Sequence, residues 1–240
     1  MSELKSWKIA QRRERGFHHV PKKRSNFKNL WMLNPFGLAD GFFHSKKVLE
    51  IGATMFSPIH NLTEAAVNVG IDPLADYYVK GLPMSSLEVK GVGENLPFPD
   101  NYFHAIICLN VLDHTSNAET VLKQVNSCLE KTGYFLFAIE TFNLPKLIRS
   151  ILIQKIDPTH TYHFAPKELT KMLINAGFAI KLINTGHNLK SQFLPFHQEM
   201  RNRRYISALK VVTARLLFQN RYVHFVCVKV MSDLTSNLTN

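Results

Sequence analysis

Residues 47–61, "KVLEIGATMFSPIHN", begin as a short apolar run that enters a glycine and then depart from the pattern of a phosphate-binding loop. Lys47-Val48-Leu49-Glu50-Ile51 has the length and composition of a buried strand, and Gly52 closes it. A strand that ends in this way starts a βαβ unit. A dinucleotide site would continue with two more closely spaced glycines, whose backbone cradles a pyrophosphate at a helix N-terminus. Ala53, Thr54, Met55 and Phe56 stand there instead. In open α/β sheets ligands sit beyond the carboxyl ends of the strands, and Gly52, having no Cβ, lets the backbone come close to one.

Downstream of this stretch, short apolar segments alternate with helical ones, the mark of a parallel sheet. Strands are expected at Lys47–Ile51, Asn68–Asp72, Leu87–Gly91, Ala105–Leu109, Tyr134–Glu140, Ala179–Asn184 and Tyr222–Val230. After "HTSNAET", Val121, Leu122, Val125 and Leu129 recur at helical spacing, and Thr132-Gly133 is read as the stop. "APKELTKMLINAGF" is a second helix, with Pro166 in its first turn and Gly177 at its end. Residues 144–156 form a third, and residues 202–218 a basic amphipathic fourth. The fold class is α/β: a Rossmann-like seven-stranded sheet, mostly parallel, with helices on both faces and the last strand antiparallel. Residues 1–45 read as a basic N-terminal extension, of which 28–45, with Trp31, Leu33, Phe36 and Phe43, is apolar enough to pack on the core. The domain runs over 46–232 with an insertion at about 186–220, and 233–240 form a polar tail.

The 240 residues are 45% hydrophobic, enough for one sizeable core. No apolar run reaches membrane-spanning length and no signal peptide is evident, so a cytoplasmic protein is expected. Cys108, Cys128 and Cys227 are odd in number and far apart, which suits reduced thiols rather than disulfides or a zinc site. The net charge of +11 sits at the ends: residues 1–47 hold 11 Lys/Arg against 3 Asp/Glu, and residues 190–240 hold 8 against 2. Such ends suit an anionic partner, a membrane surface or nucleic acid, and equally serve to solubilise the termini. The 202–218 helix would place the protein at the periphery of a membrane if it rests there, and packs on its own domain otherwise.

Asp72 ends the second strand, 22 residues after Glu50, and an acid at this distance can accept both hydroxyl protons of a ribose. A guest without phosphates needs no glycine cradle, and S-adenosylmethionine is such a guest. "VLEIG", "GIDPLADYY", "GENLPFPDNYFHAIICLNVLDHT", "VLKQVNSCLEKTGYFLF" and "HTYHFAPKELTKMLINAGF" follow one another in the order found in class I S-adenosylmethionine-dependent methyltransferases. Over residues 45–185 the chain resembles the subgroup with an "LPFPD…F" turn before strand four.

The resemblance implies that Glu50, Gly52 and Ala53 lie by the amino-acid moiety of the cofactor. It places Asp72 on the ribose, Pro73 and Leu74 beside the adenine, and Gly93, Glu94 and Asn95 in the turn that meets the adenine ring. Asn110 and Val111 would lie beneath the methyl donor, with Asp113 and His114 at the substrate mouth. Two departures stand out: Thr54 replaces a second glycine, and Val92 replaces an Asp before the adenine turn, leaving Glu94 to take its role. Methyl transfer is an in-line displacement in which alignment supplies much of the acceleration, and an acceptor hydroxyl gains from a general base. His114 is the candidate base and Asp113 its orienting group, as imidazole titrates near neutral pH. A helix cap at Thr115 or Ser116 is the structural alternative for this stretch. His160 and His163 invite a metal, but without a third ligand in view they are read as substrate or loop contacts, and no metal is expected. Residues 144–156 and 202–218 fall where related enzymes build a substrate lid. The expected activity is O-methylation of a small molecule or sugar-type acceptor. A nucleic-acid methyltransferase and a non-catalytic binding module are the alternatives, with "NVLDHT" unlike the tetrapeptide of base-amine methylating enzymes.

Overall fold

The computed structural model describes residues 29–78, 86–153, 160–186 and 221–230. The expected 202–218 helix, most of the 186–220 insertion, the first 28 residues and the polar tail lie outside these.

Seven strands form one sheet: β1 (Lys47–Ile51), β2 (Val67–Asp72), β3 (Leu87–Lys90), β4 (Phe103–Leu109), β5 (Leu129–Thr141), β6 (Phe178–Gly186) and β7 (Arg221–Lys229). Their order is β3-β2-β1-β4-β5-β7-β6. All pairs are parallel except those made by β7, which runs antiparallel to both β5 and β6. The seven expected strands and the antiparallel last strand are therefore present. β1 is central, with β2 on one side and β4 on the other, so the direction of winding reverses between β1 and β4 and a crevice opens at their carboxyl ends.

Apolar runs on both faces follow from burial on both faces. Leu49, Ile51, Ile106, Phe135, Phe137 and Phe225 point to one side. There they meet Val121, Leu122 and Val125 of α2 (Ala118–Cys128) and Leu169 and Leu173 of α4 (Pro166–Asn175). Val48, Ala105, Ile107, Leu136 and Ala138 point to the other side, where Leu33, Phe36 and Phe43 cover them. The apolar segment ahead of β1 thus closes the second face, with Asn29–Phe36 wound as a 3-10 helix. The remaining α-helical pieces are α1 (Ala75–Tyr78) and α3 (Lys146–Ile148), the latter continuing as a π-turn over Arg149–Ile153, within the expected 144–156 helix.

Two boundaries differ from the sequence reading. α2 stops at Cys128, not at Thr132-Gly133, because Asn101 and Tyr102 donate their N–H groups to the carbonyls of Ser127 and Cys128 and Leu129 already pairs with Phe103 as strand. Its cap is Asn117, whose Oδ1 accepts from Thr120 N at 2.9 Å, rather than Thr115 or Ser116. α4 matches its signals: Pro166 opens it, Glu168 Oε2 accepts from Ala165 N, and Gly177 (φ +85°) terminates it.

Candidate active site

A cavity of about 300 Å³ lies across the carboxyl ends of β1, β2, β3 and β4. Glu50, Gly52, Asp72, Pro73, Leu74, Gly93, Glu94, Asn110, Val111 and His114 all line it, which brings together most of the residues singled out in the sequence. Ala53 does not: it is buried in the second core layer. Asn95 is exposed and turned away, its backbone closing the turn onto Val92.

Each wall has a local cause. Glu50 is buried, and its Oε2 accepts from Ile59 N at 2.9 Å, so it pins the loop after β1 from beneath. Burial pushes its carboxyl up to about 8, against the opposing pull of hydrogen bonds from Ile59 and Ser57. The loop is closed on itself by Thr54 N to Ser57 Oγ at 2.9 Å, and it is tied to the β3 side by His60. That imidazole contacts the Thr54 carbonyl through Nε2 at 2.7 Å and Ser86 Oγ through Nδ1 at 2.6 Å. Thr54, in the place of a second glycine, is thus accommodated by a loop that hydrogen-bonds to itself.

Gly52 adopts φ +78°, and a Cβ there would fall 2.2 Å from Cγ2 of Val111. The glycine is needed because the end of β4 packs against it. The sequence reading gave the missing Cβ to a ligand; Gly52 does line the cavity, and Val111 adds a second reason for the glycine. Asp72 holds its turn by accepting from Leu74 N at 2.6 Å, which sets the carboxylate at the cavity edge. Glu94 uses Oε1 to accept from Ser116 N, Ser116 Oγ and Asn117 N at 2.6–3.2 Å. It therefore anchors the approach to α2 as well as lining the cavity. Asn110 sits at φ +56° with its Oδ1 buried and without a hydrogen-bond partner among the described residues. A buried acceptor in that condition seeks a donor from a guest.

Among the described residues the lining includes three acids, Glu50, Asp72 and Glu94, and no Lys or Arg; with Glu50 raised to about 8, Asp72 and Glu94 carry the negative charge near neutral pH. A pyrophosphate would meet negative charge without a counter-ion. A cationic guest with sugar hydroxyls meets acceptors, and an adenosyl sulfonium carrying an ammonium group has that donor and charge pattern. Phe56 of the loop after β1 and Met32 also face the cavity; Met32 went unnoticed in the sequence, since no local pattern shows where the segment ahead of β1 docks. Asn29 Nδ2 donates to the Phe56 carbonyl at 2.5 Å and joins the two.

At the mouth, a 3-10 turn (Leu112–His114) follows β4 and presents buried Asp113 beside His114. Thr161 N and Tyr162 N donate to the Asp113 carbonyl at 2.7 and 3.2 Å, which stitches the later histidine loop to this turn. His160 Nε2 consequently lies 3.6 Å from Asp113 Oδ2, and its ring centroid lies 4.4 Å from that of His114. His163 is less central: its ring packs edge-on against Phe142, and its carbonyl accepts from Arg149 Nη1. Arg149 is itself buried, with Nε on the Leu144 carbonyl and Nη2 2.5 Å from Glu168 Oε1.

Residues 37–182 match the methyltransferase domain family. Among curated proteins, the chain is 31% identical over 123 residues to the ubiquinone/menaquinone biosynthesis C-methyltransferase UbiE of Vibrio cholerae. That match covers 51% of this chain and 43% of the relative, so the chain spans less than half the length of the curated protein it matches. Among solved structures, the YcgJ protein of Bacillus subtilis superposes with a TM-score of 0.64 at 16% identity, covering 85% of this chain and 99% of that one. The phosphoethanolamine N-methyltransferase 2 of Haemonchus contortus, solved with phosphomonomethylethanolamine and S-adenosylhomocysteine, gives 0.63 at 13% identity, covering 85% and 52%. At these identities the structures share the fold.

Proposed function

The chain belongs to the methyltransferase domain family, with the class I S-adenosylmethionine-dependent fold, and we propose that it moves a methyl group from S-adenosylmethionine to a hydroxyl of a small-molecule or sugar-type acceptor. The observation that carries this reading is a cavity at the switch point of the sheet whose described lining holds Asp72 and Glu94 beside a neutral, buried Glu50 and no Lys or Arg. S-adenosylmethionine, when bound, supplies an activated methyl on a positively charged sulfur. Asp72 is placed to accept from ribose hydroxyls, Pro73 and Leu74 to flank the adenine, and Gly93 and Glu94 to border it. Asn110 Oδ1, buried and lacking a donor among the described residues, suits the ammonium or a hydroxyl of the same molecule. Met32 and Phe56 add apolar wall to the same cavity.

An O–H acceptor needs its proton removed as the new bond forms, whereas a thiolate or a free amine does not. Asp113, His114 and His160 converge where the acceptor would enter, and that cluster suits an acceptor that must lose a proton, a hydroxyl in this reading, rather than a thiolate or a free amine. The test has two stages. Calorimetry with S-adenosylhomocysteine should show one site. Methyl-labelled S-adenosylmethionine, incubated with a panel of phenols, sugars and carbon acids, should leave label on oxygen in the product spectrum. Absence of binding to both adenosyl compounds would reduce the chain to a module that keeps the fold without the chemistry, and label on carbon would move the acceptor class.

A further inference from the structure

We infer that Asp113, His114 and His160 hold a divalent transition-metal ion of the zinc type at the acceptor end of the cavity. The inference rests on the methyl-transfer reading above and says how the cluster handles the acceptor's proton.

The sequence offers only His160 and His163 as a pair; the fold keeps their rings in edge contact, with centroids 6.0 Å apart, but gives each a different further neighbour. His163 turns to Phe142, while the loop carrying His160 is sewn by two backbone hydrogen bonds to Asp113. A third candidate ligand, His114, then stands beside both. One ligand atom from each of the three lies within 4.8 Å of the others. Metal–nitrogen and metal–oxygen bonds near 2.1 Å at a tetrahedral angle put two ligand atoms about 3.4 Å apart. The Asp113 Oδ2–His160 Nε2 separation is 3.6 Å, so that edge of the site is already close to ligand spacing. Asp113 is buried, and both histidines are shielded in part, unlike the exposed acid clusters found on many surfaces.

Two imidazoles and one carboxylate suit first-row ions with open positions rather than magnesium or calcium, which prefer all-oxygen sets. Three protein ligands leave coordination open, as in catalytic rather than structural zinc sites. His114 lines the cofactor cavity, so the open side faces the place where acceptor and methyl donor would meet. Hydrogen bonds support the loop: Tyr162 OH donates to the Ser116 carbonyl at 2.8 Å, and buried Arg149 clamps the carbonyl of the next residue, His163. A Lewis acid here lowers the pKa of a bound hydroxyl. The acceptor O–H releases its proton to solvent, its oxygen forms the C–O bond, and the C–S electron pair leaves with sulfur as a neutral thioether. Water bound at the same position would become hydroxide instead, so an acceptor with two adjacent oxygens, able to displace it as a chelate, is the favoured class.

The probe is Co²⁺, added to chelator-treated protein and followed by its visible absorption bands, with Zn²⁺ as competitor. One equivalent should bind and be displaced by Zn²⁺. His160→Ala should weaken uptake by more than about tenfold, since a lost ligand costs at least as much as a lost supporting contact. His163→Ala, which removes the neighbouring imidazole outside the trio, should leave Co²⁺ affinity unchanged. S-adenosylhomocysteine affinity, measured by calorimetry on the same samples, should be the same in wild type and His160→Ala, which shows that the fold and the cofactor cavity survive. No Co²⁺ bands from wild type, or equal uptake by His160→Ala, overturns the metal site. Co²⁺ uptake without any S-adenosylhomocysteine binding keeps the metal and removes the methyl-transfer reading.

Discussion

Gly52→Ala should destabilise the fold by about 2–5 kcal/mol, from two separable sources. The residue sits at φ +78°, where an L-side chain costs about 1–2 kcal/mol. Its new Cβ would fall 2.2 Å from Val111 Cγ2 and 2.9 Å from Cγ1, and forcing a methyl into a filled space costs about 1–3 kcal/mol more. Val111→Ala removes both γ carbons and relieves only the second source. The double variant should therefore be more stable than the sum of the single changes by about 1–3 kcal/mol, a coupling of the size expected for residues in contact. Urea unfolding of wild type, both single variants and the double variant closes the cycle, with S-adenosylhomocysteine calorimetry on each folded protein. A Gly52→Ala protein of wild-type stability would refute both sources. A strictly additive cycle would remove Val111 as the reason for the glycine. Lost binding at undiminished stability would restore the view that the absent Cβ serves the ligand.

Asp72→Asn keeps the acceptor for Leu74 N but loses the charge, and should weaken S-adenosylhomocysteine binding by roughly 1.5–3 kcal/mol, about tenfold or more by calorimetry, with little change in unfolding midpoint. Asp72→Ala should lose more of both. Glu50 has its folded carboxyl raised to about 8 against an ordinary 4.5, so the folded state holds an extra proton between those values and stability falls as pH rises from about 5 to 8. Glu50→Gln should flatten that fall by a few kcal/mol in urea unfolding across this range, and equal slopes would show that another group causes it. Arg149→Ala strands Glu168 and the carbonyls of Leu144 and His163, and should cost about 3–5 kcal/mol, with Arg149→Lys recovering little because it cannot span three acceptors in a plane. A loss under about 1 kcal/mol in the alanine variant would mean that water replaces the guanidinium.

The strands are legible because burial on both faces leaves short apolar runs between polar turns, and β1 matches its expected bounds of Lys47–Ile51 residue for residue. The end of α2 is not legible, because Leu129 continues the helical spacing and only pairing with Phe103, a residue 26 positions earlier, turns it into strand. The cofactor wall divides in the same manner. Asp72 and its turn are local, so the spacing from Glu50 finds them. Glu94 reads as an adenine contact, yet its carboxylate is bound to Ser116 and Asn117, and Met32 arrives from a segment with no motif at all. The histidines show the limit most clearly. His160 and His163 look paired in the chain, while the partner that matters for His160 is Asp113, 47 positions away.

One constraint links the legible and the illegible parts. The only glycine in "KVLEIGATM" combines a φ of +78° with close packing by Val111, and Val111 leads directly into the turn that carries Asp113 and His114. The end of β1 and the end of β4 therefore meet at the cavity wall, next to the turn that carries the acceptor-side cluster. Phosphate-binding loops space their glycines to admit a ligand to the backbone. Here the single glycine admits a neighbouring strand end, and the guest is left with side-chain carboxylates as its main polar wall. The departure from the glycine pattern in residues 52–56 and the charged acids that line the cavity, Asp72 at the end of β2 and Glu94 in the turn after β3, both leave a phosphate without a cradle or a counter-ion among the described residues.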